Sequence, residues 1–204
     1  MKMKLGIFGG SFDPIHVGHL LIAEACRDYL GLDRVRFIPA FVSPLKSEHP
    51  PILAKHRVQM VRLAVGGNPA FEVDTREIDR GDISFTIDTL SEVRQELAEE
   101  DELFLILGVD SLNDFSRWKA PDALLELATL AIVERGGVSS GNLNRLSTFV
   151  SSRSAHPAGG VLVPFRQIEI SSTELRDRIS TKRSIRYQVP AAVASYIRAN
   201  ELYQ

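Results

Sequence analysis

Residues 4–30, KLGIFGGSFDPIHVGHLLIAEACRDYL, decide how the chain is read. Residues 4–8 form a short, nearly continuous apolar run, the pattern of a strand buried on both faces, and the run is expected to stop at Gly9-Gly10. From about residue 18 to 30, Leu21, Ile22, Ala25 and Cys26 recur at helical spacing, and Gly31 stands where a helix C-cap is expected. A strand that runs directly into a helix opens a crossover unit, and crossovers build parallel sheets.

The rest of the chain repeats that alternation. Strands are expected at residues 35–39, 71–73, 102–107 (ELFLIL) and 129–133, with extended segments at 161–163 and 167–170. Helices are expected at 53–65, 86–97, 124–127, 172–179 and 190–199. Residues 39–51 carry four prolines and read as an irregular loop. Residues 136–160 are rich in Gly and Ser, although Leu143, Leu146 and Val150 can line one face of a helix within them. With no internal repeat and no linker, residues 1–204 read as a single α/β domain. The expected fold is a Rossmann-like, doubly wound parallel sheet in three layers with C-terminal helices.

Composition narrows the function. Hydrophobic residues make up 44% and charged residues 25%, enough for a sizeable core. Lys and Arg number 24 against 26 Asp and Glu, so no broad basic footprint points to nucleic acid. The one cysteine, Cys26, rules out an intrachain disulfide and argues against a Cys-based zinc site. No apolar run approaches the roughly 18 residues of a membrane span, and the N-terminus lacks a secretory pattern, so a reducing cytoplasm is the expected location.

In an open parallel sheet, ligands bind beyond the carboxyl ends of the strands. Here that position holds Gly9, Gly10, Ser11 and Phe12, then His16, Gly18 and His19 at the start of a helix. A glycine pair admits a phosphate close to backbone, and the helix N-terminus favours an anion. Two imidazoles on one face can donate hydrogen bonds to a transferring phosphoryl group. The plainer alternatives are a simple Gly-Gly turn and a pair of metal-binding histidines. The second constellation is Ile170-Ser171-Ser172-Thr173-Glu174-Leu175-Arg176. A hydroxyl cap and free amides can receive phosphate, and Arg176 one turn on can reach the same anion. Its alternative is an ordinary capping box of Ser171 with Glu174, with Arg176 in solvent.

GGSFDPIHVGHL resembles the signature of the HxGH nucleotidyltransferases, and of nicotinate-nucleotide adenylyltransferases in particular. ISSTELR resembles that family's C-terminal ISSTxxR motif. Residues 84–90, SFTIDTL, resemble its SYTxDTL, with Phe85 where Tyr is usual; Gly108-Val109-Asp110-Ser111 followed by Trp118 resembles its GxDxxxxxxxW. The resemblance implies catalytic roles for His16, His19, Lys46 and Arg176. It places Gly9, Gly10, Ser11, Phe12, Gly18, His19, Gly108 and Asp110 on ATP, facing Ile170, Ser171, Ser172, Thr173 and Arg176. It places Phe85, Thr86, Asp110, Trp118 and Arg135 on the pyridine mononucleotide, with Trp118 stacked on the ring and Thr86 near the carboxylate. A lone tryptophan is also a common core residue, and Lys46 can equally be a solvated loop lysine. Leu45 replaces a histidine common in the family, and His56-Arg57 reads as structural. His49 and His156 have no nameable partner.

The activity implied by the resemblance is adenylyl transfer from ATP to nicotinate mononucleotide, with Mg²⁺ carried on the phosphates rather than in a protein cage. The amide mononucleotide, another phosphate acceptor, or a non-catalytic nucleotide-binding module are the alternatives. No nucleic-acid or membrane partner is expected, and a homo-oligomer is left open. All of this requires the histidine-bearing start of the first helix and the hydroxyl-rich start of the penultimate one to face the same space.

Overall fold

A computed structural model of the chain describes residues 2–44, 52–109, 111, 114–135, 160–166 and 168–204, and of residues 134 and 135 only the backbone. The expectations placed on Lys46, His49, Asp110, His156, the Arg135 side chain and a helix near 143–150 therefore lie outside the described residues.

The opening apolar run becomes strand β1 (Lys4–Gly10), which lies inside the sheet. Around it stand β2 (Arg34–Pro39), β3 (Phe71–Val73), β4 (Glu102–Gly108), β5 (Thr129–Arg135) and β6 (Gly160–Phe165). The order is β3-β2-β1-β4-β5-β6, and every neighbouring pair is parallel. The chain winds outward through β2 and β3, then returns to pair β4 with the other side of β1. That reversal is the switch point of a doubly wound sheet, where its ligand crevice opens.

Side chains alternate between two cores, one on each face. Phe8, Phe37, Phe104, Ile106 and Val133 belong to one, packed under α1 (Val17–Leu30), α2 (Ala54–Val65), α6 (Ser172–Ser180) and α7 (Ala191–Ala199). Leu5, Ile7, Ile38, Leu105 and Leu130 belong to the other, packed under α4 (Thr86–Glu96) and α5 (Pro121–Leu127). Burial on both faces is why these strands read as unbroken apolar runs. Gly31 caps α1 at φ 65°, a left-handed conformation suited to glycine, and its amide returns to the Arg27 carbonyl.

Several boundaries correct the expectation. β1 does not stop before the glycine pair: Gly9 and Gly10 are its last two residues, in register with Ile38 and Pro39. Backbone pairing on the β2 side carries the strand through residues with little strand preference of their own. Residues 168–170 join no strand. The short helix α3 (Arg76–Arg80), unforeseen, sits inside an ion-pair cluster in which Arg36 on β2 and Arg76 both bind Asp74 and Glu96.

Candidate active site

Between β1 and α1 the chain makes a buried loop. Phe12 takes a positive φ of 47° and the Asp13–Pro14 peptide is cis. His16 then caps α1 with extended backbone, its carbonyl accepting from the amides of His19 and Leu20. The His16 amide donates to Nδ1 of His19 at 3.2 Å. A backbone N–H can only donate, so His19 Nδ1 carries the lone pair and the neutral ring keeps its proton on Nε2. Nε2 is thereby a donor. The two imidazoles stack with centroids 3.7 Å apart and planes 26° from parallel, and Phe12 sets its ring against His19 at 5.2 Å. His16 is buried. A Cβ on Gly18 would lie 3.0 Å from His16 Nδ1 and 3.1 Å from its Cε1, so the glycine between the histidines leaves room for the ring.

The start of α6 meets this loop directly. Ser171 caps the helix, its Oγ accepting from the Glu174 amide at 3.1 Å. Ser172 Oγ donates to the Pro14 carbonyl at 2.9 Å, and Arg176 Nη1 donates to the Asp13 carbonyl at 2.8 Å. The two helix starts, far apart in sequence, thus share the loop at residues 13–14. The capping alternative and the anion-site alternative are compatible here: Ser171 caps while Ser172 and Arg176 hold the loop that carries His16. Arg176 is half-buried and protein-bonded rather than lying in solvent, with its Nη2 on Thr173 Oγ1 at 3.3 Å.

A third group forms beside it. Phe85 and Thr86 start α4, and the Ser84 Oγ accepts from the Phe41 amide at 2.9 Å, which ties that start to the segment after β2. Trp118 follows a single 3-10 turn (Phe115–Arg117) and packs on Phe115 at 5.4 Å. Its neighbour Lys119 places Nζ 4.5 Å above the Phe85 ring and 3.0 Å from the Asp88 carboxylate. The SFTIDTL segment and the tryptophan segment are therefore brought together. The Trp118 Nε1 is buried and has no hydrogen-bond partner among the described residues.

Residues 7–178 match the cytidylyltransferase-like family model. Among curated relatives, the "Probable nicotinate-nucleotide adenylyltransferase" of Roseiflexus castenholzii is 45% identical over 201 residues, covering 98% of both chains. That of Rhodopirellula baltica is 41% identical over 200 residues, covering 98% of this chain and 93% of the relative. The chain belongs to the nicotinate-nucleotide adenylyltransferase family. Its fold is also that of a Plasmodium falciparum nicotinic acid mononucleotide adenylyltransferase solved with NaAD, at a TM-score of 0.76 and 18% identity over 98% of this chain and 97% of that one.

Beyond the family motifs, the structure shows residues that the sequence left unremarked or read as merely structural. Arg57 is wholly buried behind the loop, donating to the carbonyls of Ser11 (2.8 Å), Phe41 (3.2 Å) and Ile52 (3.2 Å). Burial pulls its guanidinium down in pKa, opposed by the charge of Asp13. Glu77 is buried under α4, receiving the Thr89 hydroxyl at 2.6 Å. Burial raises its carboxyl, opposed by the hydroxyls of Thr89 and Ser84. Lys119 and Asp13 had a sequence signal, each lying inside or beside a motif. Tyr203, which reaches Asp13 from the end of the chain, had none.

Proposed function

We propose that the chain moves the adenylyl group of ATP onto nicotinate mononucleotide, yielding deamido-NAD and pyrophosphate, a step of NAD biosynthesis, in a cytoplasmic setting. The observation that carries the reading is the meeting of the His16–His19 stack with the Ser172–Arg176 helix start on one loop at the switch point of the sheet. An oxygen of the acceptor's 5′-phosphate attacks the α-phosphorus of ATP. As that P–O bond forms, the bond from the α-phosphorus to the bridging oxygen breaks, and the electron pair leaves with pyrophosphate. No protein nucleophile takes part, so the protein positions the groups and stabilises charge.

In this reading the His19 Nε2–H and the His16 ring meet the α-phosphate and the departing oxygen. Arg176, Lys46 and the amides at the start of α6 hold the outer phosphates. Gly9, near the open end of β1, leaves space for the nucleotide to lie close to backbone, while a Cβ at Gly10 would meet the Phe12 ring at 3.3 Å. The Val17 amide is already taken by the Gln188 carbonyl at 2.9 Å, and those of His19 and Leu20 by the His16 carbonyl, so the imidazoles and the Gly18 amide carry the anion at α1. The resemblance assigns Phe85, Thr86, Asp110, Trp118 and Arg135 to the pyridine mononucleotide, and Asp110 to ATP as well. Mg²⁺ borne by the triphosphate would neutralise phosphate charge.

The test is a coupled pyrophosphate assay offering ATP with nicotinate mononucleotide, nicotinamide mononucleotide or phosphopantetheine. The acid mononucleotide should turn over fastest, and His19→Ala should lose at least about 10²-fold in kcat with an unchanged unfolding midpoint, the scale of losing one charge-stabilising donor. A wild-type protein that binds ATP yet releases no pyrophosphate with any acceptor overturns the reading.

A further inference from the structure

The loop that carries His16 is fastened at almost every residue. Its carbonyls at 11, 13 and 14 are held by Arg57, Arg176 and Ser172, and the amide of Val17 is held by Gln188. One side chain of the loop is engaged as well. Asp13 is buried, and its Oδ1 accepts from the hydroxyl of Tyr203 at 2.6 Å, across 190 residues of sequence. To deliver that hydroxyl the chain curls back beyond α7, with Glu201 at φ 51° and Tyr203 at φ 65°. Two non-glycine residues in the left-handed region within three positions are unfavourable unless the surroundings hold them there, and such outliers are a reason to look for a function.

We propose that Tyr203 is a positioning residue for adenylyl transfer, acting through Asp13 to set the His16 imidazole against His19. The proposal rests on the catalytic reading above. Asp13 is gripped twice. Arg176 takes its backbone carbonyl and Tyr203 its carboxylate, so both the direction of the chain and the rotation of the side chain are fixed three residues before His16. On its other side Asp13 follows Phe12, whose ring edges onto His19, so a slip of Asp13 moves both walls of the imidazole stack. The carboxylate also lies in the field of Arg57, and the Tyr203 hydroxyl in that of both Arg57 and Arg176. A phenol donating to this carboxylate occupies an oxygen that would otherwise turn toward either guanidinium. Burial, then the bond to Asp13, keeps the phenol protonated, as a donor must be.

The experiment measures kcat and both KM values of Tyr203→Phe, which keeps the ring and removes only the hydroxyl, in the wild-type and in the His16→Ala background. The expected result is a kcat lowered about tenfold, the scale of a hydrogen bond to a charged acceptor, with both KM values within about twofold. In His16→Ala, whose imidazole is already gone, the same change should alter the residual kcat by less than about twofold. Asp13→Ala, which removes the acceptor, should lower kcat at least as much, and adding Tyr203→Phe to it should change kcat by less than about twofold. Equal losses in both backgrounds, or a Tyr203→Phe enzyme with wild-type kcat, overturn the proposal while leaving the catalytic reading intact. Should Tyr203→Phe fail to fold, a folded Asp13→Ala with normal kcat overturns it as well. A wild-type protein with no pyrophosphate release removes the reading itself, and the proposal falls with it.

Discussion

At the scale of single residues the site turns on what is missing at Gly18. The two imidazoles can stack because no Cβ stands beside His16; one placed there would come within 3.0 Å of the ring. Gly18→Ala tests this with two readouts of different origin. Helix propensity favours alanine by roughly 1 kcal/mol, so stability should hold or change little once the ring has shifted. Turnover should fall about tenfold, because the ring must move by a few tenths of an ångström and a full ångström of misplacement costs about a hundredfold. Measuring kcat beside the thermal midpoint separates the two, and an alanine enzyme with full turnover would show that the stack has slack. His16, Gly18 and His19 were legible in the sequence because their relation is local: spacing alone puts them on one helical turn. The partners of Asp13 were not. No periodicity links Asp13 to Tyr203, and a hydrogen bond spanning the whole chain leaves no trace in composition or pattern.

At the scale of elements, the strands were legible because burial on both faces writes them as apolar runs, and the helices because their apolar positions repeat. Where hydrophobicity did not supply the order, the reading failed. Residues 76–80, REIDR, contain one apolar side chain, yet they form α3 because charge organises them. Arg76 donates to Asp74 from its amide at 2.9 Å and from Nε at 2.8 Å, while Arg36 reaches Asp74 at 3.5 Å and Glu96 at 2.8 Å. Burial alone would raise the Asp74 carboxyl. The bonds from Arg76, then the charges of Arg76 and Arg36, outweigh it and hold the group below the ordinary aspartate value. A folded pKa below the unfolded one gives stability that is present above about pH 3.9 and is lost as pH falls through the folded value. Asp74→Asn should therefore cost about 2–3 kcal/mol at pH 7, the scale of hydrogen bonds to a charged group. The gap between variant and wild type should close as urea titrations are repeated toward pH 2. A gap of constant size would mean that the asparagine disturbs packing rather than removing a charge.

At the scale of the whole molecule, the sheet order could not be read from the strands one by one, since six apolar runs do not say which pair. It emerges from closure. The return of β4 to the free side of β1 opens the crevice and divides the core into two halves that share only the sheet. Cys26 lies in the half under α1, fully buried, and desolvation pushes its thiol up to about 12. The unfolded thiol titrates near 8.5, so this group adds stability that is intact below that value and is lost as pH rises toward 12. It is also an internal reporter on the fold. At pH 8 a thiol reagent should reach Cys26 only when this half of the core opens, and the labelling rate then follows the population of the open form. ATP with Mg²⁺ at about 100 times its Kd should add about 2.7 kcal/mol to the closed state and slow labelling by roughly a hundredfold, provided the loop at 11–16 and the core beneath it open together. Rapid labelling that ignores the nucleotide would show that α1 opens without the site, and that the hydrogen bonds to residues 11, 13 and 14 do not couple the loop to the core beneath it.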